Sequence, residues 1–339
     1  MAIAGYGRTQ ITYGMFDLER SADEAKRLVK CENIYHRGQE LAWDGRDILA
    51  EQLAKHGGIQ LADDKRRALE RIFNIILWGE LAAWKISAQL ADGLEPLEAK
   101  MAATSQAHDE ARHFYVMHDY LAALGMKPEK MDRAPQAVLD LVLETDDLAT
   151  KLLGMQLLVE TLALTIFQSV RELDVEPVLT ELMRYYERDE ARHVGLGMQY
   201  LPTLLARMPR RKIMRLITFQ VHIMGWALAE LRVLRPDFEV LGIEPRAILE
   251  RARRKQIAAI TAAYAALGIP LDRHRNLPVM VLNAIVEVLF PHEPRGRWKA
   301  AWASFWRPTE PVGADELRVH AAHEIRTARG KVAGADEIG

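Results

Sequence analysis

The chain has 339 residues, of which 49% are hydrophobic and 27% charged, so it can bury a sizeable core as one large helical domain or two small ones. Its formal net charge of −2 excludes the basic surface typical of nucleic-acid-binding proteins, and we expect no nucleic-acid partner. Cys31 is the only cysteine, which excludes a disulfide framework and an iron–sulfur cluster and fits a reducing compartment.

No targeting or membrane segment is predicted. The first residues, 1–8, lack a charged region followed by an apolar stretch, so no signal peptide is expected. The apolar stretch 216–229 is interrupted by Gln220 and His222 and is too short to span a membrane. We therefore expect a cytoplasmic protein without a membrane span.

Helical patterns follow one another along almost the whole chain after an irregular start over 1–20. Caps, glycines and prolines predict helices at about 21–55, 63–92, 96–124, 136–173, 177–206, 210–234, 245–267 and 278–289. The tryptophan-rich segment 295–311 is expected to lie over the bundle. We predict an all-α fold: a single helical domain over 1–312, followed by a polar C-terminal tail over 313–339.

One pentapeptide, Asp-Glu-Ala-Arg-His, occurs twice, at Asp109–His113 and at Asp189–His193. Glu80 precedes the first copy and Glu160 precedes the second, and each lies on an apolar helical stretch. The interval from each of these glutamates to the glutamate of its pentapeptide is the same. A repeat of this kind predicts two helical hairpins of the same design, packed with pseudo-two-fold symmetry.

This order of residues is the ligand set of a carboxylate-bridged dinuclear iron or manganese site in a four-helix bundle. A glutamate and a histidine three residues apart share one helix face and can bind one metal ion together. Residues equidistant from a hairpin turn meet at the same depth, here about 20 Å from the turn at a rise of ~1.5 Å per residue. Four carboxylates and two neutral imidazoles match two divalent cations, whereas four buried carboxylates without metal would repel one another. We predict a four-helix core at about 63–206, with additional N- and C-terminal helices, and these metal ligands: Glu80, Glu110, His113, Glu160, Glu190 and His193.

The other polar residues of the two pentapeptides are expected to support the ligands. A metal-bound histidine usually donates its second ring N–H to a carboxylate. Asp109 and Asp189 should each reach the ligand histidine of the other pentapeptide. Arg112 and Arg192 should pair with these aspartates and hold them ionised.

Gln106 and Tyr186 are the polar residues closest to the expected metal layer and are the candidate catalytic residues. Tyr186 could donate a hydrogen bond, relay an electron or become modified. Residues one turn from the ligands, among them Ala83, Met117 and Leu164, are mostly apolar and would line a cavity suited to an acyl chain or an aromatic molecule. The alternative is that this apolar stripe is only the core of the bundle.

The pattern resembles the ferritin-like di-iron carboxylate superfamily over roughly residues 70–205. The two pentapeptides look most like the catalytic subunits of bacterial multicomponent monooxygenases. The single-chain size is more similar to the ribonucleotide reductase small subunit and its ligand-binding oxidase relatives. The resemblance implies two iron ions, or a manganese–iron pair, with O2 as co-substrate and the six residues above as ligands.

Three positions depart from these relatives. Met117 stands where the reductase small subunit has its radical-bearing tyrosine, and Leu164 where the monooxygenases have a threonine. Tyr186 stands where the arylamine N-oxygenases have an extra histidine. A radical-storing reductase subunit and a third histidine ligand are therefore not expected.

The sequence thus favours an O2-activating di-iron oxidase or oxygenase acting on a small, largely hydrophobic organic substrate. Hydroxylation would need external electrons, hence a ferredoxin or reductase partner, and a homodimer is left open. The alternative is a ferroxidase or iron-handling ferritin-like protein, although storage ferritins are much shorter. A non-catalytic subunit that keeps the fold is a third alternative, disfavoured by the intact ligand set.

Overall fold

The structure is a computed structural model that describes residues 18–266, 277–293, 295–310, 312–317, 325–330 and 332–333. Helices dominate these residues, which confirms the predicted all-α helical bundle. The α-helices are α1 Leu18–Glu40, α2 Gly45–His56, α3 Asp63–Gly93, α4 Leu97–Leu124, α5 Arg133–Leu143, α6 Leu148–Leu152, α7 Glu160–Glu172, α8 Pro177–Ala206, α9 Arg210–Val233, α10 Arg235–Val240, α11 Pro245–Ala266, α12 Leu277–Leu289 and α13 Arg297–Phe305. A π-helical segment, Leu153–Val159, joins α6 to α7. A 3-10 turn, Ala314–Leu317, and two short antiparallel strands, β1 Ile325–Arg326 and β2 Val332–Ala333, follow α13.

Two helical hairpins form the central bundle. Helix α3 packs along α4, α7 packs along α8, and α4 contacts α8 between the hairpins, while α1 lies over α4 and α8. Helix α4 ends at Gly125, whose φ of 93° is a left-handed conformation that glycine adopts without strain. Helix α8 begins at Pro177, and the Glu176 carboxylate caps it by accepting from two backbone N–H groups.

Two predicted long helices are each broken in the structure, so the predictions of single helices over 21–55 and 136–173 are wrong. Asp44 caps α2 by accepting from the N–H groups of Arg46 and Asp47. Asp147 caps α6 by accepting from the N–H and hydroxyl groups of Thr150. Aspartate is a favoured N-cap because its carboxylate satisfies donors that have no partner within the helix.

The π-helical segment lies directly before Glu160 and packs against α8. A Cβ at Gly197 of α8 would lie 2.8 Å from the Cβ of Gln156, so glycine allows this close approach. The hydroxyl of Thr161 donates to the Leu157 carbonyl oxygen at 2.7 Å. Bonds of this kind satisfy carbonyl groups where the regular helical ladder is interrupted.

The helical stretch Leu148–Glu172 is long and apolar enough to cross a membrane by length and composition alone. However, 83% of its most apolar window is buried inside the protein. This stretch is the core helix that carries Glu160, and its apolar composition reflects contacts with other helices.

The C-terminal segments differ in how far their side chains are buried. Helix α13, in the tryptophan-rich segment, packs on α12. Trp298 and Trp302 are each 67% exposed. Within the predicted polar tail, Ile325 is buried in the main core, and the N–H of Ala328 donates to the Ala42 carbonyl oxygen at 2.6 Å. The end of that tail, 334–339, lies outside the described residues.

Candidate metal centre

The six side chains predicted as metal ligands are all buried, and the structure brings them together from α3, α4, α7 and α8. Their candidate ligand atoms form two groups, and within each group all the atoms lie within 4.8 Å of one another. The first group contains Glu80, Glu110, His113 and Glu190, and the second contains Glu110, Glu160, Glu190 and His193.

Glu110 and Glu190 belong to both groups. This is the arrangement expected of two carboxylates that bridge a pair of cations, while the remaining glutamate and histidine of each group serve a single cation. The pseudo-two-fold repeat of the sequence thus reappears as two equivalent halves of one cluster.

Both histidines turn Nδ1 toward the carboxylates of the cluster. Nδ1 of His113 lies 3.4 Å from Oε2 of Glu80 and 3.2 Å from Oε1 of Glu190. Nδ1 of His193 lies 2.9 Å from Oε1 of Glu110 and 2.9 Å from Oε2 of Glu190. Nδ1 is therefore the nitrogen placed to bind a cation, which leaves Nε2 for an outer partner.

The outer partners of the two histidines are aspartates of the opposite pentapeptides. Nε2 of His113 lies 3.2 Å from Oδ2 of Asp189, and Nε2 of His193 lies 3.4 Å from Oδ2 of Asp109. A carboxylate on the second ring nitrogen fixes the tautomer and orientation of a metal-binding imidazole.

Two arginines tie these aspartates together. Arg112 Nη2 contacts Oδ2 of Asp189 at 3.0 Å and also contacts Asp109, while Arg192 Nη2 lies 2.9 Å from Oδ2 of Asp109 and 2.8 Å from Oδ1 of Asp189. Burial alone would raise the pKa of Asp109, but Arg192 and the other hydrogen-bonded partners outweigh it and lower that pKa to about 2. Arg188 and Arg192 likewise hold the pKa of Asp189 well below its ordinary value, so both aspartates are ionised at neutral pH.

The chemistry of the cluster fits two cations. Among its buried ligand atoms, Oε2 of Glu110, Nδ1 of His113 and Oε1 of Glu190 make no hydrogen bond, an arrangement that is unfavourable without a further partner. Burial raises the pKa of Glu160 well above its ordinary value, and the negative charges of Glu190 and Glu110 raise it further. Mixed carboxylate and imidazole donors suit iron or manganese. The cluster can therefore bind two such metal ions.

Gln106 links a candidate ligand of the first hairpin to one of the second. Its Nε2 donates to Oε1 of Glu110 and to Oε1 of Glu160, both at 3.1 Å. Its own Oε1 accepts from Nε2 of Gln156 at 3.2 Å. Gln156 lies in the π-helical segment and was not singled out from the sequence. This pair of amides restrains two of the carboxylates.

Tyr186 lies beside the cluster but directs its hydroxyl to the backbone. Its ring stacks on His113, with centroids 4.3 Å apart, and its hydroxyl donates to the His113 carbonyl oxygen at 2.6 Å. Burial raises the pKa of Tyr186 well above its ordinary value. The residue therefore stays a neutral phenol that packs on a candidate ligand histidine.

Trp43 and Arg188 complete the surroundings of Asp189 and were missed in the sequence. The indole Nε1 of Trp43 donates to Oδ2 of Asp189 at 2.7 Å, and Arg188 donates to Oδ1 through Nε at 3.1 Å. Trp43 lies in the break between α1 and α2, next to the capping residue Asp44. Because that break was not predicted, nothing pointed to this side chain.

An apolar cavity of about 170 Å³ adjoins the cluster, and Glu80 and Glu160 form part of its wall. Ala83 lines it as predicted, but Met117, Leu164 and Tyr186 do not, and all three pack within the main hydrophobic core. The cavity is lined instead by α3, the π-helical segment and α7, together with α5, α9, α10, α11 and α12. The expectation that the residues beside the ligands surround the substrate space is therefore wrong for these three.

Comparison with known proteins gives no matching family and no matching curated protein. Three similar solved structures show the fold. A protein with aldehyde deformylating oxidase activity from Synechococcus is 19% identical with a TM-score of 0.53, over 60% of this chain and 92% of that chain. An R2-like ligand-binding oxidase from Sulfolobus acidocaldarius is 19% identical with a TM-score of 0.53, over 73% of this chain and 94% of that chain. A mutant R2-like ligand-binding oxidase with an aerobically reconstituted Mn/Fe cofactor is 14% identical with a TM-score of 0.52, over 67% of this chain and 92% of that chain. The resemblance to the ferritin-like di-iron superfamily is confirmed at the level of the fold.

Proposed function

We propose that the chain is a di-iron or manganese–iron carboxylate oxidoreductase that uses O2 to oxidise a small, largely hydrophobic organic molecule. The observation that carries this proposal is the buried double cluster, with two shared carboxylates, next to an apolar cavity. The proposed ligands are Glu80, Glu110, His113, Glu160, Glu190 and His193.

The bound metals would supply O2 binding and redox chemistry. The protein's own contribution is to hold the ligands and to exclude water. Asp109 and Asp189 orient the imidazoles, and Gln106 restrains one shared and one terminal glutamate. The alkyl side chains of the cavity wall place an apolar substrate next to Glu80 and Glu160.

The electron demand depends on the reaction. In a hydroxylation, one oxygen atom of O2 enters the substrate and the other leaves as water, which consumes two electrons and two protons beyond those of the substrate. A ferredoxin or reductase is the proposed source of these electrons. Two of the similar structures are described as an oxidase that deformylates aldehydes and an oxidase that binds a ligand, and both descriptions support the choice of an oxidase.

A ferroxidase or iron-storage role fits the cavity less well. Hydrated iron ions are charged and favour a path lined by carboxylates, whereas the wall beside Glu80 and Glu160 is mostly aliphatic. The cavity therefore supports an organic substrate over iron as the molecule that is oxidised.

The test is metal loading followed by O2 consumption. The full chain is loaded anaerobically with iron, or with iron and manganese, and O2 uptake is followed with a reductant and a panel of acyl and aromatic compounds. We expect two metal ions per chain and O2 uptake that depends on an organic compound. Glu160→Gln and His193→Ala should reduce both, because each removes a ligand of one metal position.

Glu98→Gln is the matched control. Glu98 is a buried glutamate on α4, but it belongs to neither ligand group. It should keep the metal content and the O2 uptake of the wild type. Equal losses in all three variants would contradict the ligand assignment, and O2 uptake driven by ferrous iron alone would favour the ferroxidase alternative.

A further inference from the structure

The apolar cavity has a second, polar end away from the metal cluster. Leu249 and Arg253 of α11 line both this cavity and an adjoining polar pocket between α11, α12 and α13. The charged residues of the adjoining pocket are Arg246, Glu250, Arg253, Glu287 and Arg307. One ligand can therefore contact the aliphatic wall and this charged pocket at the same time.

The charges of the adjoining pocket are not balanced. Arg246 engages both acids, with Nε 3.1 Å from Glu250 and Nη2 2.9 Å from Glu287. Within the part of the chain that the structure describes, neither Arg253 nor Arg307 forms an ion pair with a carboxylate. The pocket therefore retains two guanidinium groups without a carboxylate in contact.

Arg253 is the one of these two that faces the cavity. Its Nη1 donates to Oδ1 of Asn283 at 3.2 Å, which leaves further N–H groups for a ligand. Burial lowers the pKa of Arg253, and the neighbouring Arg307 and, to a smaller extent, Arg254 lower it further, while Glu250 and the exposed Glu310 offset only part of this. An anion at this position would offset the burial and the repulsion.

Apart from Arg253 and the two candidate ligands, the charged residue of the cavity wall is Glu230, and it does not suit an anion. Glu230 of α9 is buried, and its Oε1 makes no hydrogen bond. Burial raises the pKa of Glu230, and the nearby carboxylates of Asp132 and Asp237 contribute to the rise. A negative ligand group placed there would meet these acids, so the Arg253 end is the favoured position for it.

We propose that the ligand of this cavity is an amphipathic monocarboxylate whose carboxylate binds Arg253 and whose apolar tail extends to Glu80 and Glu160. Arginine recognises a carboxylate through two parallel N–H···O bonds, and the aliphatic wall receives the tail. This inference rests on the proposed function and adds an orientation to it: carbon atoms remote from the carboxylate lie next to the metal centre. Arg253 is then a specificity-determining residue.

The test compares decanoate with decan-1-ol by isothermal titration calorimetry on the metal-loaded full chain, without O2. The two probes share a tail and differ in charge. The wild type should bind decanoate more tightly. Arg253→Gln should weaken decanoate binding by about tenfold or more, the loss expected when a hydrogen-bonded charge is removed, and should leave decan-1-ol unchanged.

Arg254→Gln is the matched control for Arg253→Gln. Arg254 is the next residue, but it is 59% exposed, pairs with Glu316 at 2.8 Å and does not line the cavity. Its variant should bind both probes as the wild type does. A loss in Arg254→Gln equal to that in Arg253→Gln, or no loss in Arg253→Gln, overturns the proposal.

Gly79→Leu tests whether the tail occupies the cavity. Gly79 lines the cavity, and a Cβ built there meets nothing within 4 Å, so a larger side chain at this position begins in open space. Leucine also favours the helical state over glycine, so this variant should fold. The variant should bind both probes more weakly. Unchanged binding of both probes would overturn the proposed location of the tail in the cavity.

Repeating the titrations on the metal-free chain separates this inference from the proposed function. Binding that persists without metal and still depends on Arg253 supports the carboxylate site even if no oxidation is found. If decanoate binding requires metal and is unchanged in Arg253→Gln, the carboxylate binds at the metals, and the proposed orientation of the ligand is overturned. Normal metal content and substrate-dependent O2 uptake in that case would leave the proposed function standing.

Discussion

Asp189→Asn is the substitution with the largest expected effect on the surroundings of the metal centre. The fully buried carboxylate of Asp189 accepts from Trp43 at 2.7 Å and lies 2.8 Å from Arg192 and 3.0 Å from both Arg112 and Arg188. The side chain of Arg188 is itself only 1% exposed. Asparagine keeps the shape but removes the charge, which leaves buried guanidinium groups uncompensated.

The expected loss follows from these contacts. Removing one partner of a buried ion pair destabilises a protein by about 3–5 kcal/mol. For a domain of this size, ~2 °C per kcal/mol converts that into a fall of roughly 6–10 °C in the melting temperature. Burial opposes ionisation of Asp189, but Arg188 and Arg192 outweigh it and hold its pKa well below the ordinary range. The stability is therefore present at neutral pH and is lost as the pH falls through the depressed pKa.

Asp109→Asn is the matched comparison, because Asp109 also holds a ligand histidine but contacts neither Trp43 nor Arg188 among the described residues. In calorimetric unfolding of the metal-free chain, the melting temperature should fall less in Asp109→Asn than in Asp189→Asn. Metal affinity, measured by competition with a chelator, should fall about 10–100-fold in both variants. Adding Arg188→Leu to Asp189→Asn should recover part of the melting temperature, because it removes a buried unpaired charge. An Asp189→Asn variant that melts like the wild type would refute this reasoning.

Three further predictions test the same structure. Trp43→Phe keeps an aromatic ring but removes the indole N–H, which should lower the free energy of unfolding by about 1.5–3 kcal/mol in urea titrations; an unchanged value would show that the hydrogen bond contributes nothing. Gly197→Ala places a methyl group 2.8 Å from a side-chain atom of the π-helical segment and should destabilise by about 1–3 kcal/mol, whereas Gly225→Ala, with open space around it, should be neutral or stabilising. Metal affinity should weaken as the pH falls, because burial raises the pKa values of Glu80 and Glu160 and protons then compete with the metals. A calorimetric titration that shows no pH dependence would contradict this.

Much of the bundle could be predicted because its boundaries depend on local chemistry. Gly125 ends α4 in a left-handed conformation, and Pro177 begins α8, as their positions in the sequence indicated. The breaks at Asp44 and Asp147 carried the same kind of signal, an aspartate ahead of a helical pattern, and could have been found. The π-helical segment carried none, since its hydrogen-bond pattern has no distinct composition.

The convergence of the six candidate ligands could be predicted because it depends on helix geometry and on the internal repeat. The cavity could not, because periodicity shows which side chains point inward but not whether neighbouring side chains fill the space. Met117 and Leu164 do point into the bundle, where close packing leaves no cavity around them. The open space depends on how α9, α11 and α12 pack on the outside of the bundle, and such long-range contacts leave no periodic signal.

The cluster and the outer wall of the cavity come from different parts of the chain. All six candidate ligands lie in the two hairpins, whereas α9, α11 and α12 supply the outer wall of the cavity and the polar group at its far end. Glu80 and Glu160 are the residues common to both, since each is a candidate ligand and also lines the cavity. Substitutions on the outer wall should therefore change which molecules bind without changing the metals, because no ligand or ligand-orienting residue lies there. The repeated pentapeptide supplies four of the six candidate ligands, and the unrepeated helices α9, α11 and α12 form much of the outer wall of the cavity beside them.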